Sequence, residues 1–210
     1  MADHERTDPL DLTLLLPDDQ RLASATDLAA ARRHVEAAAV EGPAVEHQRD
    51  VLAFIERHPD ALLRSCAEGH VTGSALVVDA AGTRTLLMLH RKLGRWFQPG
   101  GHVDGDAGLA AAALREATEE TGIDGLRLAW PAIDIDIHRV EPPGEAPHLH
   151  LDTRYLVVAP PGAVEHGNEE SLALRWVTVD ELDDLGVDES TRRLVTRGLA
   201  LAPSLAARGG

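Results

Sequence analysis

This sequence predicts an α/β fold, with helices covering a mixed β-sheet. Three observations carry that prediction. Strand-like runs at 71–78 and 85–90 are followed by a long alanine-rich helical stretch and then by further strand-like runs, so the two periodicities interleave. Apolar residues make up 44 % of the 210, which is the composition of a globular domain with a sizeable core. Aromatic residues are only 3 %, so Leu, Val and Ala must fill that core.

Taken in order, residues 1–20 are acidic, contain Pro9 and Pro17, and read as a loose arm. Residues 25–40 read as a helix with Thr26 or Asp27 as N-cap, and Gly42-Pro43 breaks it. A second helix is expected at 45–57, where Val51, Leu52, Phe54 and Ile55 supply the apolar side and Pro59 ends the run. A short helical turn is expected at 60–66. Residues 71–78 and 85–90 form a hairpin through 79–83. A loop with Gly94, Gly100, Gly101 and Gly105 leads into a helix at about 106–121, closed by Gly122. Strands follow near 126–130, 132–140, 150–159 and 174–177, then helices at 179–185 and 189–202. The chain therefore divides into an acidic arm and helical extension (1–67), an α/β domain (68–187) and a C-terminal helix and tail (188–210). The first two helices have two open roles: covering the domain, or joining two copies as a homodimer.

The formal charge is −15. Such a surface repels nucleic acid and anionic membrane, so neither is an expected partner. No apolar run approaches the ~20 residues that span a bilayer. The N-terminus carries Asp3, Glu5, Asp8 and Asp11, unlike a secretory signal. Cys66 is the only cysteine, so no internal disulfide forms, in keeping with a cytoplasmic protein.

The strongest chemical signal is Arg115-Glu116-Ala117-Thr118-Glu119-Glu120-Thr121-Gly122-Ile123. On a helix, Glu116, Glu119 and Glu120 fall within roughly a 100° arc, beside an alanine-rich arc that can pack on a sheet. Carboxylates so placed repel one another, by about 3 kcal/mol per pair at an effective dielectric of 20. A hard divalent cation turns that repulsion into attraction. A solvated acidic face, steadied by Arg115 and Glu119 four residues apart, explains the same residues without function. The upstream Gln98-Pro99-Gly100-Gly101-His102 favours the functional reading, because its glycines let backbone approach a metal or phosphate closely.

These residues resemble the Nudix box, G-x5-E-x7-R-E-U-x-E-E-x-G-U, where U is apolar or small. Gly101 opens it, and Arg115, Glu116, Glu119, Glu120, Gly122 and Ile123 stand at matching positions, with Ala117 at the first U. The first Glu of the box is replaced by Ala107, with Asp106 and Asp104 as nearby acidic substitutes for holding Arg115. The resemblance implies a Nudix-like α/β/α sandwich and Mg2+- or Mn2+-dependent hydrolysis of a diphosphate linkage. The substrate would be a nucleoside diphosphate derivative or related small molecule. It implies Glu119 and Glu120 as metal ligands, Glu116 as ligand or general base, the Gly100 carbonyl as a further ligand, and Arg115 as part of the catalytic group. A further acidic ligand is expected from Glu169 or Glu170, although a solvated loop explains both equally well. Two rivals stay open: a nucleotide sensor that binds without cutting, suggested by Ala107, and a Nudix-fold isomerase of prenyl diphosphates.

A second constellation lies in His148-Leu149-His150-Leu151-Asp152-Thr153-Arg154-Tyr155. Alternation puts His148, His150, Asp152 and Arg154 on one strand face. A half-buried surface strand would explain this without function. Two functional readings compete with it. In one, Arg154 clamps a substrate phosphate. In the other, His102, His148, His150 and Asp152 build a separate transition-metal site for Zn2+, Fe2+ or Ni2+. Trp96 and Gln98 are candidates for lining the same pocket, with core packing the alternative for Trp96. Arg91, Lys92 and Arg95 form a small basic group before the box loop, equally explained as a solvated hairpin end.

Overall fold

The structure is a computed structural model that describes residues 11–142 and 144–206. The first half of the acidic arm, residues 1–10, therefore lies outside the described residues. A two-residue strand, β1 (Thr13–Leu14), precedes helices α1 (Leu28–Ala37) and α2 (Ala44–Arg57). Asp27 caps α1 by accepting the Ala29 N–H. The segment after Pro59 forms turns and no helix.

The sheet begins with β2 (Gly69–Val78), β3 (Thr85–His90), β4 (Trp96–Phe97) and β5 (Gly100–His102). The glycine loop is thus partly extended backbone. Helix α3 (Leu109–Thr121) follows and ends on Gly122, whose φ of 63° a residue with a Cβ would resist. The remaining elements are β6 (Arg127–Val140), β7 (His148–Val158), β8 (Ser171–Val177), α4 (Leu182–Leu185) and α5 (Glu189–Ala206). No described helix is long and apolar enough to cross a membrane.

The strand order is β1-β6-β7-β2-β3-β4, with β5 also paired to β2 and β8 to β3. The pair β2–β7 is parallel and the others are antiparallel, so the sheet is mixed. The two strands expected at 126–130 and 132–140 are one strand. Ala129 faces Leu156 and Asp134 faces Arg154, so β6 takes five steps where β7 takes two. Pro131 sits inside that irregular stretch, preceded by a cis peptide bond. Lacking an N–H, it fits where the ladder is interrupted.

Alternation along the strands builds two cores. Val71, Ala75 and Val77 of β2 face α1, α2 and α3, together with Leu151, Tyr155 and Val157 of β7. Leu76, Val78 and Leu156 face α4 and α5, where Leu182, Leu194, Val195 and Ala202 cover them. The result is an α/β/α sandwich. Helix α3 comes close to β2 because Gly73 has no side chain there. A Cβ on Gly73 would sit 3.0 Å from the Leu109 carbonyl oxygen.

Strand β7 therefore lies inside the sheet and not at its surface. The half-buried surface strand expected for 148–155 is corrected: Asp152 and Arg154 are buried, as are Leu151 and Tyr155 on the other face.

Candidate metal and diphosphate site

Helix α3 buries Leu109, Ala110, Ala112, Ala113 and Ala117 against the sheet. That burial fixes the rotation of the helix, and the rotation decides where the glutamates point. They are not equivalent. Glu120 is 3 % exposed, Glu116 retains 16 % of its side-chain exposure, and Glu119 retains 57 %. Gly100 N–H donates to Glu120 Oε2 at 2.9 Å, tying the box loop to the last turn of the helix. A Cβ on Gly101 would lie 2.6 Å from the Glu116 carboxyl carbon, so only glycine leaves room for that carboxylate.

Burial pushes the Glu120 carboxyl up to about 8, helped by the charges of Glu116, Glu170 and Glu119 and opposed by the Gly100 hydrogen bond. Burial also raises Glu116, while the neighbouring Arg115 pulls it back down. Glu170, rather than Glu169, is among the charges acting most strongly on both groups. Its residue is exposed, on the loop before β8. Two inward carboxylates with like charge beside them form an all-oxygen donor set poorly suited to being ionised alone. Such a set fits a hard divalent cation.

Arg115 donates to the His102 carbonyl at 3.3 Å and pairs with Glu116 at 2.7 Å and Glu119 at 3.4 Å. Neither acidic substitute holds it. Asp104 pairs with Arg64, and Asp106 accepts from the N–H groups of Ala25 and Gly108. The fully buried Ala107 donates its own N–H to the Ala25 carbonyl at 2.6 Å. Where the resemblance expects a glutamate, the loop is instead braced by backbone from the N-terminal extension. A cavity of about 420 Å³ runs along the outer side of α3, bounded by Leu15, Leu114, Arg115, Thr118, Glu119 and Leu126.

Arg154 is not available to substrate. It is 3 % exposed and bonds Asp152 at 2.8 Å, Asp136 at 3.1 Å, Asp134 at 3.3 Å and Ser190 at 2.6 Å. Arg193 from α5 closes the same network on Asp134 and Asp136. The phosphate-clamp expectation is therefore corrected: a guanidinium with its donors committed to three buried carboxylates has none to offer. The signal was present in Ile133-Asp134-Ile135-Asp136-Ile137. Its alternation sends Ile135 and Ile137 toward α1 and α2 and both aspartates to the opposite face.

Asp152 likewise leaves the histidine group. It accepts from Thr72, Ser74 and Arg154. His102 and His150 do come together, joined by His70, to which the sequence had assigned no role. His148 lies beside His70 and His150. Trp96 is half-buried against the α5-side core. Gln98 is buried, with its Oε1 lacking a hydrogen-bond partner among the described residues. The small basic group is spoken for in part: Arg91 donates to the Glu169 and Ser171 carbonyls, and Arg95 to Asp188.

A family model described as NUDIX domain matches residues 69–197. The chain belongs to the Nudix family. Solved Nudix-type structures are similar to it over about two thirds of the chain or less. An Ap4A hydrolase from C. elegans in a binary complex is 18 % identical, with 64 % of this chain and 98 % of that one covered and a TM-score of 0.53. A NUDIX-family hydrolase from Clostridium perfringens is 24 % identical, with coverages of 63 % and 97 % and a TM-score of 0.49. The dihydroneopterin triphosphate pyrophosphohydrolase of E. coli is 18 % identical, with coverages of 66 % and 96 % and a TM-score of 0.48. No curated protein sequence matches this Nudix chain.

Proposed function

We propose that this Nudix protein hydrolyses a diphosphate linkage in a nucleoside diphosphate derivative or a related small molecule. The observation that carries the reading is the pair of inward carboxylates, Glu116 and Glu120, held against Gly100 and Gly101 with their proton affinities raised by burial. Glu119, Glu120 and the Gly100 carbonyl would hold Mg2+ or Mn2+, with Glu170 as the further acidic group and Glu116 left as the general base. A divalent ion there supplies neutralisation of phosphate oxygens and a more acidic water.

The chain's own contribution is positioning and proton transfer. The Gly100 N–H fixes one oxygen of Glu120, so that carboxylate cannot swing out with solvent. Arg115 holds the loop carbonyl of His102 and at the same time restrains Glu116. Glu116 sits half-buried, where a raised proton affinity suits a base that must accept a proton near neutral pH. Water attack at phosphorus then forms one P–O bond as the bridging P–O bond breaks. The water proton goes to Glu116, and the leaving phosphate departs as the anion.

The test is a product-mass screen across nucleotide sugars, ADP-ribose, dinucleotides and nucleoside triphosphates with Mg2+ or Mn2+, run beside Glu119→Gln/Glu120→Gln. Turnover of at least one class, lost in the double variant, is expected. Turnover that survives in the double variant refutes the assignment. A nucleotide that raises the melting temperature with no turnover of any substrate would favour the sensor.

A further inference from the structure

The second cluster lies on the opposite face of the sheet. Strand register brings it together. In the parallel pair β2–β7, His70 stands beside His150, and in β6–β7 His138 stands beside His150 from the other side. In β2–β5, His102 faces Thr72, two residues along from His70. Gly101 looks toward Glu116 and α3, so His102, the next residue on an extended strand, looks the other way. One three-residue strand thus separates the histidines from the glutamates.

The ligand atoms of His70, His102 and His150 all lie within 4.8 Å of one another. Their ring centroids form a near-equilateral triangle of 4.8, 5.0 and 5.1 Å. The rings are tilted by 41°, 51° and 85° and are not stacked, so nitrogen-bearing edges can turn to a common point. His70 is 2 % exposed, yet both its ring nitrogens lack a hydrogen-bond partner among the described residues, as does the buried Nε2 of His150. Leaving such buried groups without a partner is unfavourable. A neutral imidazole has one nitrogen that needs an acceptor and one that offers a lone pair.

We propose that His70, His102 and His150 form a transition-metal site of the Zn2+, Fe2+ or Ni2+ class, separate from the glutamate site. Imidazole nitrogen selects these ions over Mg2+. Tetrahedral coordination with metal–nitrogen bonds of ~2.0–2.1 Å needs nitrogens about 3.4 Å apart, so small ring rotations close the observed spacing. Ligation uses the neutral imidazole, and burial of His70 and His150 disfavours the charged form. Two more histidines flank this group without belonging to it. His148 Nδ1 donates to the Ala146 carbonyl at 2.9 Å, which leaves its Nε2 lone pair free. His138 Nδ1 is 3.1 Å from Asp136 Oδ2, the carboxylate–histidine arrangement that fixes a ligand's tautomer. His138, His102 and His150 are each only partly buried, so the site has a path to solvent.

The test is metal analysis of the full chain, purified without a histidine tag from medium replete in Zn2+, Fe2+ and Ni2+. The set is wild type, His70→Gln/His150→Gln, His102→Gln, Glu119→Gln/Glu120→Gln and Cys66→Ser. Cys66 is included because His58, Asp60 and Cys66 form another compact donor group. About one equivalent of transition metal is expected in the wild type, the glutamate variant and Cys66→Ser, falling at least tenfold in the histidine double variant. Reconstitution with Co2+ should give a ligand-field band that His102→Gln shifts or abolishes. Should the double variant fail to fold by circular dichroism, the partly exposed His102→Gln carries the test alone. Absence of near-stoichiometric metal in the wild type overturns the site, as does metal retained in both histidine variants or lost only in Cys66→Ser. Loss of turnover in the glutamate variant with metal content unchanged reports on the other site alone.

Discussion

Replacing Glu120 by glutamine should stabilise the metal-free protein, and do so in a pH-dependent way. The carboxyl is 3 % exposed and its proton affinity is raised from the ordinary 4.5 to about 8. Below about pH 4.5 both the folded and unfolded chains hold this proton, and Glu120 makes no difference between them. Between there and about pH 8 the unfolded chain has released it while the folded chain still retains it, so stability falls by about 1.4 kcal/mol per pH unit. Above about 8 the penalty is constant. At pH 7 it is on the order of 3 kcal/mol, a large share of a typical folding free energy. Glutamine is uncharged and keeps an oxygen to accept the Gly100 N–H, so it should recover most of that amount. The assay is urea denaturation with EDTA at about pH 5, 6, 7 and 8 for both proteins. The expected difference is small at the acid end and grows toward neutrality. Saturating Mg2+ should narrow or reverse the ranking, because a ligand at ~100 times its Kd adds about 2.7 kcal/mol to the protein that binds it. A stability difference that does not vary with pH, or a glutamine variant less stable than wild type at neutral pH, would refute the reasoning.

Three further outcomes are expected. Arg154→Met removes the buried guanidinium shared by three carboxylates, leaving Arg193 as their remaining cation, and should cost about 3–5 kcal/mol in urea unfolding, with Arg154→Lys less severe. Gly101→Ala places a methyl group against the Glu116 carboxylate, the movable end of a flexible side chain. The fold should therefore persist, with a melting temperature close to wild type, while metal-dependent turnover drops at least tenfold, a change of about 1.4 kcal/mol or more. Asp106→Ala removes the acceptor for the Ala25 and Gly108 N–H groups and should cost about 1–3 kcal/mol in the same unfolding assay, with Glu116 and Glu120 left in place.

Local chemistry was legible in the sequence, and long-range register was not. The glutamate helix, its Gly122 stop and the 71–90 hairpin follow from periodicity and turn residues that lie close together in the chain. Strand β1 was missed because two residues carry no period; its existence depends on pairing with β6. Pro131 split one strand into two on paper, although an irregular ladder accommodates it. His70 had no neighbouring signal, since only the parallel register with β7 sets it beside His150. Arg154 was misread for a related reason. Alternation showed which residues share a face, but not that α5 and the aspartates of β6 would seal that face.

The packing of the N-terminal helices bears on how the molecule comes apart. Ala31, Val35, Val51, Phe54 and Ile55 share one apolar cluster with Val71, Ala113 and Tyr155, so residues ahead of 69 and residues within the family match fill the same interior. Peeling α1 and α2 away would wet the inner side of the sheet, a cost too large for independent fraying. Amide hydrogen exchange should accordingly find the slowest protons of α2 opening together with those of β6 and β7, in one event. A chain shortened to begin at residue 69 would carry that uncovered hydrocarbon into solution and clump.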